Sequence, residues 1–242
     1  MESTKNKMTI EIWSDVMCPF CYLGKRKFEN ALTQFEEKDS VNVIWKSFLL
    51  NPDLKTDTSI SIYEYLSKAK GIGIEQAKEM NKHITQSGKL VDVEYNFDKV
   101  IVANTFKAHI LLHCANKQGK QNEVKERLLK AFFTEGRNVD DISVLLEIGN
   151  EAGLKTDTLA EALDNESYID EVREDIYEAQ QFGIRGVPFF VFDRKYGVSG
   201  AQETPVFLET LKKSFAEWRK TNPEIHMEII HGESCDIDGT CG

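Results

Sequence analysis

Cys18 and Cys21 stand two residues apart in the stretch SDVMCPFCYLG. Two cysteines at this spacing can supply half of a zinc site, close a structural disulfide, or pass electrons by thiol–disulfide exchange. A second pair, Cys235 and Cys241, brackets DIDGT near the end of the chain. The choice among these chemistries depends on the elements that hold the sulfurs.

Residues 8–13, MTIEIW, alternate apolar and polar types with β-branched side chains, which predicts a strand. A short turn follows, and Pro19 can open a helix because its missing N–H costs nothing in the first turn. Apolar residues at Phe20, Leu23, Phe28, Ala31, Leu32 and Phe35 extend that helix over 19–37. Residues 41–48, VNVIWKSF, give a second strand. Cys18 therefore sits where a strand turns into a helix. There its sulfur should face unsatisfied backbone N–H groups and the positive helix end, both of which favour the thiolate. Cys21, about one helical turn on, is close enough to close a disulfide. This placement makes Cys18 the expected attacking sulfur and Cys21 the resolving one.

Between about residues 60 and 182 the segments read as successive helices with little strand signal. Strands return at 188–193, PFFVFD, and at 196–201, YGVSGA, which can pair across an Arg194-Lys195 turn. TPVFLETLKKSFAEWRK makes a final amphipathic helix. The expected divisions are 1–55 and 183–222 for an α/β unit, 56–182 for an all-helical insertion, and 223–242 for a tail with the second cysteine pair. In GIRGVPFF, Pro188 opens a strand; a cis Val187–Pro188 bond would leave backbone groups of Val187 free to pair with an extended peptide.

With CPFC and GVPFF in this order, the sequence resembles the DsbA-like branch of the thioredoxin superfamily, and more closely its FrnE-type members. The segments IEIWSDVMCPFCYLGKRKFE, SFLLNP, NTFKAH, LLKAFFTEG, GIRGVPFFVF and YGVSGAQ carry the likeness over residues 10 to 202. The resemblance implies an α/β thioredoxin fold interrupted by a large helical insertion. It implies thiol–disulfide exchange on protein disulfides or dithiols, with Cys18 as nucleophile, Cys21 as resolving cysteine and Pro188 as the facing cis-proline. Kappa-class glutathione transferases and 2-hydroxychromene-2-carboxylate isomerases share this branch, but they typically carry Ser where this chain has Cys18. They make a glutathione-dependent enzyme the alternative, beside a non-catalytic metal-binding protein. The implied cofactor is none, with glutathione as a candidate thiol partner. The strongly oxidising DsbA proteins have Pro-His between their cysteines. Phe20 offers neither charge nor hydrogen bond to the thiolate, so a less oxidising couple is expected.

Cys235 and Cys241 read as an accessory redox pair, a tether for the tail, a contribution with Cys18 and Cys21 to a metal site, or part of a tail without fixed structure. Cys114, in HILLHCANKQ, reads as a small buried hydrophobe. His109 and His113 are one turn apart with no evident third metal ligand, so core or exposed histidines are expected and no metal site is assigned.

With 40 acidic against 30 basic residues, the chain's net charge of −10 argues against nucleic acid or anionic membrane as a partner. No apolar run of about 18 residues exists, and no apolar stretch precedes the first strand. Five cysteines in 242 residues do not make a disulfide scaffold. A cytoplasmic monomer or homodimer is the expectation.

Overall fold

A computed structural model of the chain describes residues 6–155, 159–163 and 165–223. Cys235 and Cys241 lie outside the described residues. The elements run β1 (Met8–Ser14), α1 (Pro19–Thr33), β2 (Val41–Ser47), β3 (Asp57–Ser61), α2 (Ile62–Lys70), α3 (Ile74–Lys89), β4 (Ile101–Val102), α4 (Phe106–Lys117) and α5 (Gln121–Lys130). A π-helical turn (Ala131–Glu135) follows, then α6 (Ile142–Glu151), α7 (Leu159–Leu163), α8 (Glu166–Gln181), β5 (Phe189–Phe192), β6 (Tyr196–Ser199) and α9 (Thr204–Thr221).

The main sheet has four strands in the order β2-β1-β5-β6. β1 runs parallel to β2, from Met8 opposite Val41 to Ser14 opposite Ser47. β5 is antiparallel to β1, with Ile12 opposite Phe190 and Trp13 opposite Phe189. β6 closes the sheet as a hairpin partner of β5. This is an α/β thioredoxin fold, and the chain between β2 and β5 forms its helical insertion.

Strand alternation decides what each face buries. Ile10, Ile12, Phe190 and Phe192 point to one face and form a core with Phe28 of α1 and Phe207 and Leu211 of α9. Trp13 and Val191 point to the other, where Ala179 of α8 and Ile184 cover them. α1 serves two cores. Phe28 and Ala31 pack on the sheet, whereas Tyr22 and Leu23 join the core of the insertion with Leu111, Phe132 and Phe133.

Two differences from the sequence reading have physical causes. α1 stops at Thr33 rather than reaching 37; Phe35 is still buried, because the chain leaving the helix keeps it against Phe215. The insertion is not wholly helical, since β3 pairs antiparallel with β4. β4 has only two residues, and the apolar run that continues into α4 hides it from a periodicity test. Ser61 then ends β3 and caps α2, its hydroxyl accepting from Glu64 N–H while the Glu64 carboxylate accepts from Ser61 N–H.

Asp175 of α8 joins the insertion to the sheet. Its carboxylate accepts from Ser47 N–H at 2.8 Å, faces His113 Nε2 at 3.0 Å and pairs with Lys46, and its backbone carbonyl accepts from Trp13 Nε1 at 2.9 Å. Burial opposes its charge, but His113 and Lys46 hold its carboxyl below the ordinary Asp range. A depressed carboxyl stabilises the fold above its unfolded value of about 3.9, and that contribution is lost as pH falls through the folded value. Removing one partner of a buried charged network leaves the others uncompensated. Asp175→Asn should therefore cost about 3 kcal/mol by urea denaturation at neutral pH, with less difference from wild type near pH 3. A change within about 0.5 kcal/mol, the scale of ordinary surface substitutions, would contradict this role.

Candidate functional site

The site begins where β1 ends. Ser14 and Asp15 close the strand, Cys18 has extended backbone at φ −89°, and Pro19 starts α1. Cys18 N–H donates to the Asp15 carbonyl at 3.3 Å, and Cys21 N–H donates to the Cys18 carbonyl at 3.0 Å. Both cysteines are free thiols; Cys18 is 3% exposed and Cys21 0%. The structure thus brings Cys18, Cys21, Val187 and Pro188 together, as expected.

The Val187–Pro188 bond is cis. The Val187 carbonyl oxygen lies 3.4 Å from Cys18 Sγ, within reach of the thiol's S–H, and keeps a second lone pair. The Pro188 carbonyl accepts from Gly200 N–H at 2.8 Å. Close approach between α1 and Pro188 depends on Gly24. A Cβ at that position would lie 2.8 Å from Pro188 Cγ and 3.4 Å from Phe190 Cζ. Sequence reasoning gave Gly24 no role.

Beneath the cysteines lies a buried polar floor. Asp15 accepts from Leu50 N–H at 2.8 Å, Thr105 Oγ1 at 2.7 Å and Met17 N–H at 3.3 Å, and its Oδ1 is 3.5 Å from His109 Nε2. Burial opposes its charge, yet these partners, His109 foremost, keep its carboxyl below the ordinary range. Burial keeps His109 neutral, pushing its pKa down despite the neighbouring carboxylate. The sequence showed no carboxylate near either histidine, but the fold places Asp15 by His109, and Glu171 and Asp175 by His113. On the far side, Tyr95 donates to the Pro19 carbonyl at 2.7 Å and packs edge-to-face on Tyr22.

The fully buried Lys125 of α5 completes the floor. Burial pushes its amine down to about 8, against the pull of Cys21, Asp15 and Cys18. A lysine in KERLLK looks like a solvent-facing helix residue; only the packing of α5 turns it inward.

The two thiols behave as one titrating pair. The hydrogen bond with Cys21 and then burial push the Cys18 thiol well up. For Cys21 burial also resists ionisation, but donation by the Cys18 thiol and the Lys125 ammonium bring its pKa down. The pair therefore shares one first ionisation, opposed by burial and drawn down by the Lys125 ammonium. Cys18 Sγ lies 3.4 Å from the Val187 carbonyl oxygen and makes no side-chain cap to α1; its single S–H proton serves either that oxygen or Cys21, not both at once. Burial also raises Cys114, which sits apart in α4 with Gln118 Nε2 at 3.8 Å from its sulfur.

The chain matches the family model of a DSBA-like thioredoxin domain over residues 9–212. It is 30% identical over 190 residues to the uncharacterised protein YwbO of Bacillus subtilis (strain 168), covering 75% of this chain and 85% of that one. Its fold superposes with a TM-score of 0.80 on the crystal structure of a probable DsbA oxidoreductase from Streptomyces coelicolor, at 34% identity over 97% of this chain and 98% of that one. A cytosolic disulfide reductase, DsbM from Pseudomonas aeruginosa, shares the fold at 18% identity and a TM-score of 0.59 over 88% of this chain and 98% of that one. That protein has also been solved with glutathione.

Gly24→Ala should push Pro188 off α1 and lengthen the Cys18 Sγ to Val187 O contact. The expected cost is about 1–3 kcal/mol in chemical denaturation, the range for overpacking a close contact. A crystal structure of Gly24→Ala with Pro188 unmoved and stability unchanged would show that the close approach is not required.

Proposed function

The chain belongs to the DsbA-like family of thiol–disulfide oxidoreductases, and from that membership we propose that it exchanges disulfides with protein substrates through Cys18-Pro19-Phe20-Cys21. The observation that carries the reading is the position of the Cys18 thiol, in contact with both Cys21 and the Val187 carbonyl and on the more accessible side of the pair.

Cys18 is the attacking sulfur because a substrate can reach it, while Cys21 is wholly covered. The proton between the sulfurs passes to Cys21, leaving the thiolate on Cys18. That thiolate attacks a substrate disulfide, giving a mixed disulfide and one substrate thiolate. Cys21 then gives its proton to the released substrate thiolate and attacks Cys18 Sγ, which closes the Cys18–Cys21 disulfide and expels the second substrate thiolate. Two electrons move from the pair to the substrate; the reverse sequence oxidises a substrate dithiol. Once Cys18 is in a mixed disulfide, it no longer donates to Val187 O, and that carbonyl is then wholly available to an extended peptide alongside Pro188. Phe20, 49% exposed beside Cys18, offers an apolar contact for an unfolded protein segment.

Among the described residues no helix is long and apolar enough to cross a membrane. The reading includes work in the cytosol, with glutathione as a small thiol able to reduce the pair. A glutathione-dependent isomerase or transferase on this fold needs one sulfur or hydroxyl at position 18. The second thiol bonded to it favours exchange.

In an insulin turbidity assay with dithiothreitol, Cys18→Ser should fall to the uncatalysed background. Cys21→Ser should accumulate mixed disulfides at Cys18 detectable by mass spectrometry. Full reductase activity in Cys18→Ser would refute the assignment.

A further inference from the structure

Lys125 is a buried cation with no hydrogen-bonding or carboxylate partner among the described residues. Its side chain is fully covered, and Nζ makes no hydrogen bond among the described residues. Charged groups are seldom left so, because an uncompensated buried charge is costly.

Two clamps fix its position. Gln121, one turn earlier on α5, holds the β2 backbone: its Oε1 accepts from Trp45 N–H at 2.8 Å and its Nε2 donates to Trp45 O at 2.9 Å. Glu126, the next residue, holds α1: it accepts from Tyr22 Oη at 2.9 Å, Lys25 Nζ at 2.7 Å and Arg26 Nη2 at 2.6 Å. Between these clamps Lys125 Nζ lies 5.5 Å from the Trp45 ring centre, within cation–π range. The charged and titratable groups facing it are Cys21, Asp15 and Cys18 on the negative side, and Lys25 and His109 on the other. Lys25 has its own carboxylates, Glu29 and Glu126, each at 2.7 Å. The Asp15 carboxylate already has Leu50, Thr105 and Met17 as donors. The charge still without a dedicated partner is the thiolate of the reduced cysteine pair.

We infer that Lys125, delivered by the helical insertion, is the counter-cation of the reduced Cys18–Cys21 pair, a positioning residue that acts through the pair and sets its reduction potential. When the pair is a disulfide, Lys125 faces no thiolate and burial favours its neutral amine. On reduction by a substrate dithiol, two electrons and two protons enter the site: one proton stays on the sulfurs, the other goes to the amine. The products are the substrate disulfide, one thiol, one thiolate and one ammonium, so charge balances inside the protein. The amine, held near 8 by burial, is poised to take up and release that proton near neutral pH. The inference rests on the reading of Cys18–Cys21 as a redox couple.

The test compares wild type with Lys125→Met by redox equilibration against glutathione, with thiolate absorbance followed through pH. The variant should shift the equilibrium at least tenfold toward the disulfide, about 30 mV for a two-electron couple. Its first thiol ionisation should move up in pH, and its reduced form should lose stability relative to its oxidised form. A purely structural lysine would lower both forms alike and leave the equilibrium unchanged, which would overturn the inference. Should Lys125→Met not fold, NMR titration of the Lys125 ε-methylene in the wild-type protein decides instead. A higher pKa in the reduced than in the oxidised form supports the inference; equal values overturn it. A pair that forms no reversible disulfide would sink the underlying reading instead, a result distinct from a reversible couple indifferent to residue 125.

Discussion

Two sulfurs buried side by side cannot both carry charge, and neither can lose a proton unless something holds the charge left behind. In this chain the end of β1, the start of α1 and the insertion meet that condition jointly. β1 ends at Ser14 with Asp15 next in the chain, α1 begins within the pair itself, and α5 brings the charge of Lys125 to bear on it. Asp15 pulls the other way: its negative charge opposes ionisation of Cys18, so its partners Leu50, Thr105 and His109 matter to the sulfurs as well as to the fold. The balance of Lys125 against Asp15 is set by how α4 and α5 pack on the sheet.

The insertion is therefore part of the cysteine site. Tyr95 fixes the Pro19 carbonyl, Thr105 and His109 from the chain around the start of α4 hold Asp15, and Glu126 binds α1 one turn past Cys21. Asp175 ties α8 to β1 and β2 from the opposite face. A disturbance in the helices has a physical route to the cysteines through these few buried contacts.

Much of this was legible in the sequence where a local rule decides structure. Strand alternation in MTIEIW, the proline after Cys18 and the apolar period of α1 were enough to place the pair at a strand–helix junction. PFFVFD and YGVSGA fell into the predicted hairpin, although each strand is shorter than predicted, Phe189–Phe192 and Tyr196–Ser199. What stayed hidden depends on partners far along the chain. Lys125 and Asp175 look like surface charges of amphipathic helices until their neighbours are known. Gly24 looks like a weak point in a helix until Pro188 lies against it. The β3–β4 pairing has too few residues to stand out from its flanking helices. The electrostatics of the pair were hidden for the same reason: the helix end is visible in sequence, but the proton shared between the sulfurs and the cation from α5 are not.

The central claim is a single charge shared between Cys18 and Cys21 and drawn down by its surroundings. Its most direct measurement is the pH dependence of alkylation of the reduced protein, with each cysteine-containing peptide quantified by mass spectrometry. The account predicts that Cys18, sharing one ionisation with Cys21, is alkylated at lower pH than buried Cys114, while covered Cys21 stays protected. Equal pH midpoints for Cys18 and Cys114 would contradict it.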